Sequence, residues 1–160
     1  MAYDLVAEAD SGRHFLQAFV LWPQQWRRCA ALRGVVWRKI KYVPRQIRTL
    51  PNEPGIYAFV VSPSVVGTPD FNYLLYIGKA ERQTLKQRCR QYRYESRRPK
   101  PRVHIVRMLR NWRNHLHLYY APVPGDVTAV EERLLAAFIP PCNPDLPGSL
   151  SGIGRLIYHA

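Results

Sequence analysis

The sequence predicts an α+β fold: a small, mostly antiparallel sheet of about three core strands flanked by helices. Two observations carry this. Gly55–Val61 and Tyr73–Ile77 are runs of β-branched and aromatic residues with the composition of strands. The stretch between them is too short for a comfortable parallel crossover, so it suits an antiparallel pair. Beyond them, helical periodicity resumes and is broken by one further strand, giving the order β-β-α-α-β-α from Gly55.

The elements follow in order. Pro23 can open a helix through Gln24–Leu32, and Gly34 can close it. Val35–Val43 is β-branched and aromatic and reads as a strand. Leu50-Pro51-Asn52-Glu53-Pro54 is punctuation and marks a boundary. Along Gly55–Val61 the side chains alternate, so Tyr57, Phe59 and Val61 share one face. Ser62–Asn72 contains Pro63, Gly67 and Pro69 and reads as a loop. Tyr73–Ile77 is closed by Gly78.

From Thr84 to Arg93 the pattern is helical, with Leu85, Arg88, Cys89 and Tyr92 on one stripe. Lys86, Arg90 and Arg93 lie on another face. A second helix is predicted over Val103–Asn114. Leu116–Val123 alternates as a strand, with His115 and His117 sharing a face. Asp126–Phe138 is a third helix, ended by Pro140-Pro141. The organisation is therefore a basic N-terminal extension (1–50) in the same globule, a core (51–144) and a Gly/Pro/Ser-rich tail (145–160).

The chain has 160 residues, 47% of them apolar, which suits one domain with a real core and argues against disorder. The longest apolar stretch, Phe15–Trp22, is far short of the ~20 residues of a membrane span. Asp4, Glu8 and Asp10 give the N-terminus the wrong charge for a secretory leader. Cys29, Cys89 and Cys142 lie far apart, neither a disulfide framework nor a zinc pattern. Reduced thiols in a cytoplasm are the expectation, with Cys89 in the core. His115 and His117 lack a third metal ligand and read as solvated or core residues.

The charge is lopsided. Lys+Arg number 24 against 11 Asp+Glu, a net +13 with a pI near 10.2. Residues 79–113 alone carry +11, residues 1–50 carry +6, and 51–78 and 114–160 carry −2 each. Arginine, the better bidentate phosphate ligand, supplies 19 of the 24 cations. The bland alternative is a solvated face. The density of charge, with Tyr92, Tyr94 and Trp112 interleaved, favours a nucleic-acid track. Its candidate contacts are Arg82, Lys86, Arg90, Arg93, Arg97, Arg98, Lys100 and Arg102.

Other residues suit phosphodiester chemistry. Such a reaction needs a nucleophilic water, a cation over the developing charge and help for the leaving oxygen. Arg88 stands on an inward stripe, where arginine is rare unless paired. Glu131 lies along a stripe with Leu134, Leu135 and Phe138, so it faces the sheet while Glu132 projects elsewhere. Thr128-x-x-Glu131 is also a capping-box pattern, an alternative structural role. Tyr57 and Tyr76 are poor bases at an ordinary phenol pKa near ~10. Lys79, Arg88 or a metal could lower it.

In order along the chain, Gly55-Ile56-Tyr57 and Tyr76-Ile77-Gly78-Lys79-Ala80 resemble the two naming motifs of the GIY-YIG nuclease family. Leu85–Tyr92 resembles its arginine helix, Glu131-Glu132-Arg133-Leu134-Leu135 its metal-ligand helix, and Pro140–Asn143 its closing Pro-x-x-Asn element. The resemblance spans Leu50 to Pro144 and is closest to the branch of the bacterial excinuclease C nuclease domain. It implies a Mg²⁺-dependent DNA endonuclease, with Mn²⁺ a plausible substitute, cutting one strand per active site. Glu131 would hold the metal, Arg88 clamp the phosphate, and Tyr57 or Tyr76 act as base, with Tyr57 favoured. Lys79, Tyr92 and Asn143 would complete the site. Duplex cleavage would need a homodimer, a larger assembly or two events. Two rivals stand beside this: a non-catalytic nucleic-acid-binding module, and a nuclease for RNA or single strands.

Overall fold

The computed structural model describes residues 12–13, 15–32, 34–63 and 71–148. The first eleven residues, most of the Ser62–Asn72 loop and the end of the tail lie outside the described residues. The element order is α1 (Pro23–Arg28), a 3-10 turn (Cys29–Leu32), β1 (Arg38–Lys41), α2 (Pro44–Ile47), β2 (Gly55–Val61) and β3 (Tyr73–Ala80). It continues with α3 (Leu85–Gln91), a 3-10 turn (Tyr92–Arg97), α4 (Val103–Asn111), β4 (Leu116–Pro122) and α5 (Val127–Phe138). The fold is α+β, and its one sheet has four strands in the order β1-β4-β2-β3, all pairs antiparallel.

The fourth strand is the N-terminal one. Only Arg38–Lys41 of the predicted Val35–Val43 run pairs, as an edge strand on β4. Arg38, Lys39 and Lys41 are exposed there, and charge on an edge discourages pairing with other chains. Pro44 then starts the short α2, which brings Ile47 and the following Leu50 into the core.

The sheet has two covered faces because its side chains alternate. Tyr57, Phe59 and Val61 of β2 share one face with Leu116, Leu118 and Tyr120 of β4. Leu85, Cys89 and Tyr92 join that core, as do Ile105 and Met108 of α4. Ile56, Ala58, Ile77 and Ala121 face the other way and meet Val127, Leu134 and Leu135 of α5. Phe138, placed on that stripe by periodicity, is 38% exposed, because α5 runs past the cover of the sheet at its last residue. α5 stops there: Pro140 cannot continue it, and Ile139 takes a left-handed φ of 43°.

Several boundaries shift. α1 tightens into a 3-10 turn at Cys29, within the span predicted as one helix. β4 begins at Leu116, so His115 lies in the turn before it and does not pair on a strand face with His117. α3 ends at Gln91, and the chain tightens over Tyr92–Arg97. In a 3-10 helix, side chains three apart eclipse. This puts Tyr92 and Glu95 on one side, and both are buried.

Candidate functional site

Tyr57 from β2, Tyr76 from β3, Arg88 from α3 and Tyr92 come together on the first face of the sheet. The sequence arranges this locally. Thr84 caps α3 by a full capping box with Gln87, which fixes the helix start one turn before Arg88. Gly78 is paired with Tyr57 across the strands, and the Tyr57 ring lies directly over it. A Cβ at Gly78 would meet the Tyr57 hydroxyl at 2.5 Å, so only glycine lets the ring pass.

The Tyr57 and Tyr92 hydroxyls are 2.6 Å apart and hydrogen-bonded. Arg88 Nε donates to the Tyr57 hydroxyl at 3.1 Å, and the guanidinium stands 5.5 Å over the Tyr92 ring. The Tyr76 ring centroid lies 6.4 Å from that of Tyr57 and 6.2 Å from that of Tyr92. Burial drives the Tyr57 phenol far above the usual range; Tyr76 pushes the same way, and Arg88 offsets only part. Burial likewise raises Tyr76. Arg88 lowers the Tyr57 pKa in the expected direction, but at 0% exposure desolvation outweighs it and the net shift is upward.

A carboxylate site lies across β3. Lys79 follows Gly78 and so projects from the opposite face. Its Nζ donates to Thr128 Oγ1 at 2.6 Å and stands 3.4 Å from Glu131 and 3.8 Å from Glu81. Thr128 in turn donates to Glu81 at 3.1 Å. The residue that caps α5 is Asp126, which accepts from the Ala129 N–H at 2.9 Å. Thr128-x-x-Glu131 is thus not a capping box here, and Glu131 is left for other work. Burial raises the Glu131 carboxyl, while Lys79 and the field of Arg88 lower it. Glu132 is exposed, as its position on the helix predicts.

Hard oxygen donors suit Mg²⁺, which keeps several waters and needs only one or two carboxylates beside a substrate phosphate. Glu131, with Glu81 and the Thr128 hydroxyl nearby, offers that chemistry. Among the described residues no cluster of three His, Cys, Asp or Glu forms a self-sufficient cage. A metal here would share its coordination with substrate and water, and the Lys79 Nζ that stands among these oxygens would have to give way to it.

Asn143 is 5% exposed and works through the backbone. Its Oδ1 accepts from the Ile77 N–H at 2.8 Å, and its Nδ2 donates to the Ile77 carbonyl at 2.7 Å. Cys142 N–H donates to the Leu75 carbonyl at 2.8 Å, where β3 bulges against Phe59/Val60. The segment therefore satisfies the outer edge of β3 and pins Tyr76 between two fixed points, directly before Gly78 and Lys79. That is a positioning role, since both ends of the amide are engaged.

The basic residues divide into two groups. Arg82, Arg90, Arg93, Arg97 and Lys100 are exposed and Lys86 half-buried. Arg97 stands 5.9 Å over the Tyr94 ring. Arg98 and Arg102, assigned by charge to the nucleic-acid track, are engaged by Glu95. Arg102 Nε and Nη2 each donate to the Glu95 carboxylate at 2.9 Å, its backbone N–H does so at 3.2 Å, and Arg98 lies at 3.3 Å. These bonds hold the Glu95 carboxyl down at about 2 despite burial. Arg102 also stacks 5.2 Å over Tyr92, so this cluster braces the tyrosine that holds Tyr57. Sequence reasoning missed Glu95. The available signal was that it is the one carboxylate between Arg82 and Arg113.

No family model, curated protein or solved structure matches the chain. No helix among the described residues is long and apolar enough to cross a membrane.

Proposed function

We propose that the protein is a metal-dependent endonuclease that hydrolyses DNA phosphodiester bonds, one strand per site. The observation that carries the reading is Arg88: a half-buried guanidinium fixed on the Tyr57 hydroxyl, within electrostatic reach of the Glu131 carboxylate. An arginine so held supplies preorganised positive charge where a phosphorane-like transition state gathers negative charge.

The roles follow from the contacts. Arg88 binds and orients the scissile phosphate. Tyr57 and Tyr92 fix its guanidinium, and Gly78 makes room for that arrangement. Lys79 adds positive charge at the mouth of the site and holds Thr128. Glu131 is the residue that would hold Mg²⁺. When bound, the metal supplies Lewis acidity at the phosphate and the positive field a buried phenol needs to ionise. Tyr76, at 8% exposure against 0% for Tyr57, is the more accessible phenol for orienting water. The exposed Arg82, Arg90, Arg93, Arg97 and Lys100 bind the backbone beside the site. Three free thiols support a reducing compartment, the cytoplasm.

One observation favours the rival reading of a non-cleaving nucleic-acid binder: Lys79 already neutralises Glu131. The two readings separate in a cleavage assay of purified Arg88→Ala and Glu131→Ala. On the nuclease reading both lose metal-dependent cutting while keeping the wild-type circular dichroism spectrum. Unchanged cutting by both overturns it.

A further inference from the structure

Behind Tyr92 the structure holds a cavity of about 630 Å³. Tyr42, Ile47 and Leu109 form part of its wall, and Arg93, Arg110 and Arg113 line it with cationic groups. We propose that this cavity receives a single unpaired nucleotide of the bound DNA, its base against the apolar wall and its phosphate on the arginines. The inference rests on the nucleic-acid-binding part of the function proposed above, and does not depend on cleavage.

Three features point to a nucleotide. The first is charge. Among the described residues no Asp or Glu lines the cavity. Among the described residues none of Arg93, Arg110 and Arg113 forms a salt bridge, in contrast to Arg98 and Arg102 on Glu95. Three free guanidinium groups at one cavity call for a multiply charged anion such as phosphate. The second is shape and polarity. The volume falls within the ~300–1,000 Å³ usual for a bound small molecule. An aromatic and aliphatic wall beside a cationic rim suits a flat heterocycle joined to a phosphate. The third is rigidity. The Tyr42 hydroxyl donates to the Cys89 carbonyl at 3.2 Å, and its ring packs edge-on to Phe59 at 4.9 Å. A wall locked from behind binds without a further ordering cost.

Position fits as well. Tyr92 lines the cavity and also bonds the Tyr57 hydroxyl, so an occupant would lie one side chain away from Arg88. Arg110 and Val106 line a second opening of about 550 Å³ on α4, with Arg107. The strand leaving the cavity therefore meets further arginine. A paired base in a duplex cannot enter such a cavity, whereas an extruded or overhanging one can. The ligand class is accordingly DNA that carries an unpaired nucleotide.

The test compares a fully paired duplex with the same duplex carrying one extra unpaired 2-aminopurine. Binding is followed by anisotropy and by the 2-aminopurine emission, in EDTA so that nothing is cut. Wild type should bind the bulged duplex about tenfold more tightly, since only the unpaired base can reach the aromatic wall. Its emission should change on binding. The double variant Arg110→Ala/Arg113→Ala should lose that preference and the emission change, with binding of the paired duplex within about threefold of wild type. A control Arg82→Ala should weaken both duplexes alike. Equal affinity of wild type for both duplexes overturns the inference and leaves the function standing. So does an equal loss on both in the double variant. Absence of binding to either duplex overturns the nucleic-acid reading and the inference with it.

Discussion

Replacing Glu95 by Gln removes one charge and almost no volume, and should cost more stability than any other change to a charged residue described above. Gln is the nearest stand-in for the protonated acid. The cost is therefore the free energy by which the fold favours the ionised form. Its partners move the carboxyl from 4.5 to about 2. At about 1.4 kcal/mol per pKa unit this is about 3 kcal/mol, in line with the ~3–5 kcal/mol for breaking a buried ion pair. Glu95 is 1% exposed, so solvent does little to screen the loss. In urea the midpoint should fall by about 1–2 M without a change in slope. The thermal midpoint should fall by about 6–12 °C. The pH dependence has a fixed sign. A depressed carboxyl stabilises the fold above its unfolded pKa of about 4.5, and loses that contribution as pH falls towards about 2. The gap between wild type and variant should be full at pH 7 and should close on acidification. A variant within about 1 kcal/mol of wild type at pH 7 would refute the reasoning, as would a gap that persists at low pH.

Other changes have expected outcomes too. Asn143→Ala leaves the buried Ile77 N–H and carbonyl without partners, at ~1–3 kcal/mol for each. Urea unfolding should show a loss of at least about 2 kcal/mol. Gly78→Ala forces the Tyr57 ring to move and should cost about 1–3 kcal/mol by overpacking, with loss of cleavage. Tyr57→Phe keeps the ring but leaves Arg88 Nε without its acceptor; cleavage should fall at least tenfold while the melting temperature moves by only a few degrees. Native protein should react slowly with a thiol reagent at Cys89, which is fully buried with its thiol pushed above the usual range, and faster at half-buried Cys29.

Strong local patterns carried into the structure nearly unchanged. Alternation along Gly55–Val61 foretold which face holds Tyr57 and Phe59, and the helical stripe foretold Leu85, Cys89 and Tyr92 as core. What the sequence did not reveal depends on long-range geometry. Arg38–Lys41 is mostly charged, so only its pairing with β4 makes it a strand. The capping role of Thr128 was a fair local reading, displaced because Asp126 starts the helix and Lys79 reaches the hydroxyl from a distant strand. Arg98 and Arg102 looked like surface charge in a basic run. The 3-10 turn that carries Glu95 inward is set by what packs on Tyr92, and no period announces it. Likewise, the direction of the Tyr57 shift follows from burial in three dimensions.

The central claim is most directly tested by incubating the purified wild-type protein with supercoiled plasmid in Mg²⁺ or Mn²⁺, with EDTA as control. The account predicts nicked circles that appear only with metal and increase with time. Salt-sensitive binding of the plasmid with no nicks in either metal would contradict it.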